Sequence, residues 1–304
     1  MTGNGVQLPR NTIADLGLNV QQVRPEGFSV ASNRRVVFAP GNLQYQGSTR
    51  TLRFAPNEWD FIGNNPGNTT TRADRDNQSA WIDLFAYGTS GVGNDAHLPS
   101  HITTTDSEYP GINISGTNYD WGVSRNILNG STTDPAGTWR TPTKQEWDYV
   151  FNTRTMILYS GYSTRVPQYS HCSVNGVDGV VLFPDNFEPM SDDELTLMNA
   201  SSLSAAQWQM LKNLGCAFLP VTGILEPERV NIWSGIILTG HTYNASVSEM
   251  NVGHYWSSSK STLGAGTQAS SVVFGNNILG SWRLDAADGS LKYKGQAVRL
   301  VKNL

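Results

Sequence analysis

The chain has 304 residues and a formal net charge of -4, so it lacks the basic excess that neutralises nucleic-acid phosphates or anionic membranes. Hydrophobic residues make up 38% of the chain, enough for a sizeable core. Charged residues make up only 15%, below the roughly 25% typical of soluble proteins. This composition, with 30 glycines and 9 tryptophans, excludes a disordered chain and favours a loop-rich fold with short strands.

Residues 1–27 are polar and end at a Pro-Glu-Gly boundary, so we expect an N-terminal arm followed by one domain over 28–304. The first residues lack the charged start and apolar run of a secretory signal peptide, and no stretch is long enough to span a membrane. We therefore expect neither export by the usual route nor membrane insertion.

The first part of the domain reads as β structure. Alternating apolar and polar residues predict a pair of short strands over Phe28–Tyr45, broken at Ala39-Pro40-Gly41, and a further strand over Arg53–Phe61. From about residue 63 to 135 Gly, Asn, Thr and Asp dominate. Aromatic islands at Trp81–Gly88 and Tyr119–Gly122 indicate long loops that are pinned to the core.

Three capping boxes predict three short helices in the centre of the chain, because each supplies side-chain partners for the free backbone amides of a helix start. They are Thr143 with Glu146, Ser191 with Glu194, and Ser204 with Gln207. Gly215 is expected to end the last helix. The first helix should bury Trp147 and Val150 or Phe151.

After these helices the chain again reads as strands, which begin near Cys216, Ile232, His254, Ser270 and Gly295. The order is strands, then loops and helices, then strands. This order predicts the α+β class and disfavours an alternating parallel sheet.

Cys172 and Cys216 are the only cysteines. Two cysteines exclude a disulfide scaffold and a cysteine-built zinc site. Two buried free thiols are the favoured interpretation. A single bridge between them stays open.

Three groups of residues resemble metal ligands, and each has a simpler explanation. His97 and His101 have helical metal-site spacing, but Pro99 lies between them. Asp192, Asp193 and Glu194, with Asp185, could hold calcium, yet the first three suit the first turn of a helix. The loop with Asp74, Asp76 and Asn77 lacks the glycine and distal glutamate of an EF-hand. We expect no metal and no cofactor.

Catalytic motifs are also missing. The sequence has no nucleophile-elbow GxSxG pattern, no Walker loop and no dinucleotide-binding GxGxxG pattern. The residues of a catalytic triad come together only in the folded protein and need no fixed spacing in the sequence. The sequence alone therefore does not exclude a triad. We expect no catalytic residues.

The segment from Tyr255 to Val301 has strand-like apolar ends and a centre without regular period. Isolated large side chains lie there among Ser, Gly and Asn: Leu263, Ile278, Trp282 and Leu291. Apolar anchors amid small polar residues suit an adaptable binding face. The alternative is an ordinary irregular loop with a few exposed apolar residues.

Seven motifs together resemble one family: FAPGNLQY (38–45), WIDLFAYGTSG (81–91), YDWG (119–122), WRTPTKQEW (139–147), GCAFLPVTG (215–223), YWSSS (255–259) and GQAVRLV (295–301). Over residues 28–303 the chain resembles C-type-lectin-fold proteins related to formylglycine-generating enzymes, which are common in Bacteroides and their phages. Within that group it is most similar to the variable proteins of diversity-generating retroelements. The resemblance implies a C-type-lectin-like ligand-binding domain with short strands, a few short helices and long loops.

In such systems error-prone reverse transcription at template adenines rewrites codons near the 3′ end of the gene. The resemblance implies a variable region at about 255–301, in which fixed positions are buried and diversified positions lie between them on one exposed surface. The fixed positions would be Tyr255, Trp256, Ser257, Ser258, Ala269, Val272, Phe274, Leu279, Gly295, Val298, Arg299 and Leu300. The diversified, ligand-binding positions would be Ser271, Val273, Gly275, Asn276, Asn277, Ile278, Gly280, Trp282, Arg283, Asp285, Ala287, Ser290 and Tyr293.

The function implied by the resemblance is non-catalytic binding of a receptor or ligand, as a phage tail-fibre adhesin or a bacterial surface binder. The partner would be an unknown protein or glycan on a cell surface, and the location a virion or bacterial surface. A homo-oligomer would add avidity, and the sequence leaves it open. Two alternatives are an enzyme on the same scaffold with another chemistry and a structural fibre module. Formylglycine-generating enzymes use two closely spaced C-terminal cysteines with copper, and this chain has no cysteine after Cys216.

Overall fold

The computed structural model describes residues 27–63, 65–69, 75–92, 97–157, 165–185, 187, 192–230, 242–276, 282–285 and 289–304. The predicted arm lies outside the described residues except for its last residue. The described chain is mostly strand with a few short helices, so the α+β class is confirmed. No helix in these ranges is both long and apolar enough to cross a membrane.

The strands of the first half are β1 (Phe28–Ala31), β2 (Arg34–Phe38), β3 (Leu43–Gln46), β4 (Thr51–Phe54), β5 (Trp81–Ile82), β6 (Ile127–Asn129), β7 (Thr132–Asp134), β8 (Thr155–Ile157) and β9 (Arg165–Pro167). Those of the second half are β10 (Tyr169–Val174), β11 (Val177–Leu182), β12 (Ser202–Leu203), β13 (Ala217–Pro220), β14 (Ile224–Val230), β15 (Thr242–Ser248), β16 (Val252–Lys260), β17 (Gln268–Asn276), β18 (Trp282–Asp285), β19 (Ser290–Leu291) and β20 (Val301–Asn303).

The helices are α1 (Pro66–Thr69), α2 (Trp121–Ser124), α3 (Lys144–Asp148), α4 (Asp192–Met198) and α5 (Ala205–Asn213), and a π-helical turn at Tyr149–Thr153 continues α3. The three central helices are as predicted. Capping boxes at Thr143 and Ser204 start α3 and α5. Ser191 lies outside the described residues. Helix α5 stops two residues before Gly215, whose φ of 90° favours glycine.

The two ends of the folded chain lie in one sheet, of order β1-β2-β20. Val36 of β2 pairs with Phe28 on one side and with Asn303 on the other. Gly27, with a φ of 77°, lies against Val36 O and the Leu304 side chain, where a Cβ atom would not fit. Both ends of the fold therefore meet at the middle of β2.

Three buried clusters stabilise the molecule. The central core contains Trp147, Phe151, Tyr255, Val272 and Phe274 among its members. A second core lies under the five-stranded sheet β5-β3-β4-β6-β7 and includes Tyr45, Phe85, Tyr87, Trp121, Trp256, Val298 and Leu300. The helical core packs α4 and α5 on the sheet β12-β10-β11-β13 through Trp208, Phe218, Cys172 and Cys216.

Both cysteines are free and buried in the helical core, so the favoured interpretation is confirmed and the bridge is excluded. Burial raises the pKa of Cys172 to about 11, with the Asp178 charge adding to the effect. Burial also raises the pKa of Cys216, and the charge of Glu58 raises it further. Neither thiol is activated as a nucleophile.

Some strand boundaries differ from the predictions. Phe28–Tyr45 forms three strands, because a tight turn at Ser32–Asn33 divides the first predicted strand. The strand predicted at Arg53–Phe61 lies at Thr51–Phe54 and ends before Pro56. At the C-terminus, Gly295–Ala297 forms isolated bridges, and the strand covers Val301–Asn303. The strand predicted near Ile232 lies outside the described residues.

Candidate binding surface on the C-terminal sheet

Strands β16, β17 and β18 form an antiparallel sheet, to which β19 is attached through β17. Residues 255–260, 268–276, 282–285 and 290–291 of the predicted variable region lie on this sheet. Tyr255 of β16 lies opposite Val272 of β17, and Gly253 lies opposite Phe274. These positions share one face because neighbouring residues of a strand alternate between faces. That face packs into the central core.

Tyr255 is fully buried, with its ring stacked on Phe274 at a centroid distance of 5.6 Å. Its hydroxyl donates to Pro220 O at 2.8 Å and accepts a hydrogen bond from Asn42 Nδ2 at 3.1 Å. Burial raises the pKa of Tyr255, so the phenol stays neutral. The residue therefore holds β16 against β13.

Trp256, the next residue, lies on the opposite face and is also fully buried. Its indole Nε1 donates to Phe85 O at 2.7 Å, and its ring meets Tyr87 edge-on at 5.4 Å. Trp256 belongs to the second core, with Val298 and Leu300. The sheet is thus packed on both faces at this point.

Arg299 is a fully buried cation. Its guanidinium donates to Ala39 O at 3.0 Å and also to Phe218 O. Glu58, another buried residue, lies near enough for the two charges to affect each other's pKa. One side chain thus joins the C-terminal segment to β13 and to the chain after β2.

The fixed positions that the structure describes are all buried, as predicted: Tyr255, Trp256, Ser257, Ser258, Ala269, Val272, Phe274, Gly295, Val298, Arg299 and Leu300. Leu279 lies outside the described residues. Gly295 is constrained by the side chain of Leu225, because a Cβ atom at Gly295 would lie 2.7 Å from Leu225 Cβ.

The strand register places several predicted diversified positions on one face. Val273 pairs with Asp285, and Gly275 pairs with Arg283. Ser271 is two residues before Val273 and therefore shares its face. Asn276 and Trp282 pair with each other and fall on the alternate face. For Asn276, Trp282, Arg283 and Asp285 the structure describes strand and pairing only.

The expectation that the diversified positions are exposed is wrong for three of them. Ser271 is 4% exposed, Val273 is 8% exposed, and Gly275 is buried. The physical reason is that both faces of the β16–β17 pair are covered, since Trp256, opposite Ser271, packs into the second core. The alternation of side chains along a strand predicted which residues share a face of the sheet. It did not predict whether that face is exposed to solvent.

Gly275 also lacks space for a side chain. Its φ is 134°, and a Cβ atom would overlap Asn251 O and lie 2.9 Å from Val252 Cα. A larger residue at this position would push β16 away from β17. Gly275 is therefore better described as a structural position.

The remaining diversified positions divide into two groups. Ser290 and Tyr293 are half-buried, and Ser290 Oγ accepts a hydrogen bond from Gln296 Nε2 at 2.5 Å. Asn277, Ile278, Gly280 and Ala287 lie outside the described residues. Leu263, one of the apolar residues singled out from the sequence, is 54% exposed.

The structure places the candidate metal ligands in other roles. The His97 ring meets Tyr119 edge-on, whereas His101 Nε2 lies 3.0 Å from Glu108 Oε2. Asp185 accepts hydrogen bonds from Arg154 Nε and Ser29 Oγ. In the part of the chain that the structure describes, no group of three or more His, Cys, Asp or Glu side chains could hold a metal ion.

The other acidic candidates are also accounted for by local structure. Asp192, Asp193 and Glu194 form the first turn of α4, where negative charge stabilises a helix. Asp76 accepts a hydrogen bond from Ser100 Oγ. Asp74 lies outside the described residues.

Glu58 is a buried carboxyl that no sequence motif indicated. Burial raises its pKa from 4.5 to about 7, although the charges of Arg299 and Lys212 oppose the shift. It is 4% exposed, and its Oε2 has no hydrogen-bond partner among the described residues. A protonated, neutral Glu58 therefore suits the folded protein best.

A pH dependence of stability follows from Glu58. Between about pH 4.5 and 7 the folded protein keeps the Glu58 proton, whereas the unfolded chain has lost it. This contribution to stability is fully present below about pH 4.5 and is lost as the pH rises through 7. We expect it to lower the free energy of unfolding by on the order of 3 kcal/mol by pH 8. Urea unfolding at several pH values measures this.

Glu58→Gln should flatten that pH profile, since the amide does not titrate. Asp148→Asn is the matched control, because Asp148 is exposed and its contact with Asn152 needs only an oxygen acceptor. If the E58Q profile is as steep as that of the wild type, Glu58 is not the group responsible.

The candidate surface is thus reduced to the half-buried residues near β19, Ser290 and Tyr293, together with the strand β18 that pairs with β17, on a scaffold of buried fixed positions. Neither the protein-family models nor the curated proteins nor the solved structures that were compared with this chain give a match.

Proposed function

We propose that this protein is a non-catalytic ligand-binding protein with a C-type-lectin-like fold, and that a diversity-generating retroelement varies its C-terminal surface. It would serve as a phage tail-fibre adhesin or a bacterial surface binder. Its ligand would be a protein or a glycan on a cell surface. Several copies in one assembly would raise weak individual affinities to a useful avidity.

The observation that carries the proposal is the burial of the predicted fixed positions. Those within the described ranges are all buried, and Tyr255, Val272 and Trp256 lie in hydrophobic cores. Ser290 and Tyr293, two predicted diversified positions, are half-buried beside this scaffold. A protein that must change its binding residues without losing its fold needs such a buried scaffold.

The structure does not support the cysteine chemistry that formylglycine-generating enzymes use. Cys172 and Cys216 lie in the helical core and not in the two cores that contain Tyr255 and Trp256. Their raised pKa values oppose thiolate formation at neutral pH. An enzyme on this scaffold would have to use another chemistry.

The DNA beside the gene tests the retroelement directly. We expect a reverse-transcriptase gene and a near-copy of the codons for Tyr255 to Val301, which differs from the gene mainly at adenines. If no such repeat exists, or if the mismatches fall on other bases, the diversification mechanism is wrong while the fold survives.

Paired libraries test the same proposal at the protein level. If Arg283 and Asp285 are diversified positions as proposed, randomising them should change the free energy of unfolding by only about 0.5 kcal/mol for most variants. Randomising Val272 and Phe274, both buried, should cost about 2–5 kcal/mol for most small or polar replacements. The fraction of soluble, folded clones measures the difference. Equal losses in the two libraries would contradict the separation of fold from binding.

A further inference from the structure

A groove of about 340 Å³ opens where the loop at 113–115, the start of α3, the end of β16 and the start of β17 meet. Backbone hydrogen bonds fix these segments. Ile114 N donates to Ser258 O at 2.8 Å, and Ser258 N donates to Pro142 O at 2.8 Å. None of the described lining residues is a predicted diversified position.

Two side-chain contacts hold the walls together. The backbone N–H of Lys260 donates to Asn113 Oδ1 at 2.9 Å, and that of Lys144 donates to Ser259 Oγ at 3.0 Å. Each lysine thus starts from a fixed backbone position. The groove is a built feature of the fold.

The lining is rich in hydroxyl groups, which come from Ser115, Thr143, Ser258, Ser259, Thr262 and Ser270. Asn113 and Gln145 add two amides, and Lys144 and Lys260 add two ammonium groups. No carboxylate is among the described residues that line the groove. Its formal charge is therefore positive, which favours an anionic ligand.

Ser258 provides an independent indication of a ligand. The residue is fully buried, and its Oγ has no hydrogen-bond partner among the described residues, although its backbone N–H and C=O are both bonded. Leaving a buried hydroxyl without a partner costs free energy. A ligand hydroxyl at the floor of the groove would supply the partner.

The rim of the groove adds a positive charge and aliphatic surface. Lys260 is exposed, and no carboxylate within the described ranges forms an ion pair with it. Ile112 and Leu263, next in sequence to the lining residues Asn113 and Thr262, are 48% and 54% exposed. They offer aliphatic surface for the C–H face of a ring.

We propose that this groove binds a small polyhydroxylated anion, a sugar acid, either free or as the terminal residue of a glycan. The volume lies at the small end of the range for ligand sites, about 300–1,000 Å³, and suits one monosaccharide. The lysines hold the carboxylate, and the hydroxyl and amide groups bond the sugar hydroxyls. This site is separate from the diversified surface and does not depend on the proposed retroelement.

The site is tested by measuring how D-glucuronate and D-glucose bind to the full chain. Ligand-observed NMR or calorimetry gives the two dissociation constants. We expect a Kd for glucuronate of about 1 mM, typical of a weak monosaccharide site. Glucose should bind about tenfold more weakly, because it cannot use the lysines. Acetate, which supplies only the charge, should also bind about tenfold more weakly.

Two variants localise the binding. Lys260→Met keeps the alkyl stem and removes the charge, so it should weaken glucuronate binding about tenfold without changing glucose binding. Ser258→Ala should weaken binding of both sugars about fivefold while the melting temperature stays unchanged or rises, because it removes a buried unpaired hydroxyl. Lys212→Met, which makes the same charge change on α5, is the control and should bind as the wild type does.

A glycan ending in glucuronate forms the second arm. Tighter binding of this glycan than of the free acid identifies the glycan as the source, and equal binding identifies the free acid. The proposal is overturned if neither the glycan nor free glucuronate binds at a ligand concentration of about 50 mM, which is far above the expected Kd. It is equally overturned if glucose binds as well as glucuronate, or if K260M and S258A bind as the wild type does. None of these results bears on the repeat beside the gene.

Discussion

Arg299→Met is expected to lower the free energy of unfolding by about 3–5 kcal/mol, a large part of the roughly 5–15 kcal/mol that stabilises a typical folded protein. The side chain is fully buried and donates to the backbone oxygens of Ala39 and Phe218. Methionine fills similar space but leaves both carbonyl groups without this donor. It also removes the charge that lowers the pKa of Glu58 most. Urea unfolding at pH 7 measures the loss.

Two further variants separate charge from shape. Arg34→Met removes a cation whose side chain is 60% exposed and 3.4 Å from Glu146, so it should cost under about 1 kcal/mol. The double variant R299M/E58Q should recover at least about 1 kcal/mol relative to R299M, since the unpaired buried carboxyl is gone. A loss below about 1 kcal/mol in R299M alone would show that Arg299 does not hold the C-terminal segment in place.

Trp256→Ala is expected to cost about 3–5 kcal/mol as well. The indole lies in the second core, fully buried and edge-on to Tyr87. Alanine would remove this packing and leave a cavity between β16 and the five-stranded sheet. The melting temperature and the near-ultraviolet circular dichroism should both fall.

Trp256→Phe separates the hydrogen bond from the packing. It keeps an aromatic ring but leaves Phe85 O without the indole donor, at an expected cost of about 1–3 kcal/mol. Trp81→Ala is the matched control, because Trp81 is only half-buried and lies 3.8 Å below the Arg53 guanidinium. An equal loss in W81A and W256A would contradict the assignment of Trp256 as a fixed position.

Local signals predicted the helices well. Thr143 and Ser204 each accept from the backbone amide three residues later, because short polar side chains satisfy free amides wherever a helix begins. Trp147 is buried as the helical spacing predicted. The hairpin of β10 and β11 was missed, although Asn175-Gly176, both with positive φ, carries the two-residue turn signal.

Long-range relations were not available from the sequence. Nothing near Glu58 indicates that it will be buried close to Arg299, 241 positions later in the numbering of the chain. Burial of Ser271 and Val273 likewise depends on how β16 packs against other sheets, which strand alternation does not encode. The fixed positions were predicted through the family resemblance, and those in the described ranges are buried. The exposed face was not predicted from the sequence, because the exposure of a residue depends on what packs against it in the folded molecule.

The meeting of the two chain ends at Val36 has a practical consequence for engineering. Since Phe28 and Asn303 flank the same residue of β2, a short peptide from Leu304 to Gly27 would close the folded part into a ring. New ends could then be opened in an exposed turn, such as 130–131 between β6 and β7. Because the two ends lie close together, the folded part could also be inserted as a unit into a surface loop of a carrier protein, with both connections at one place.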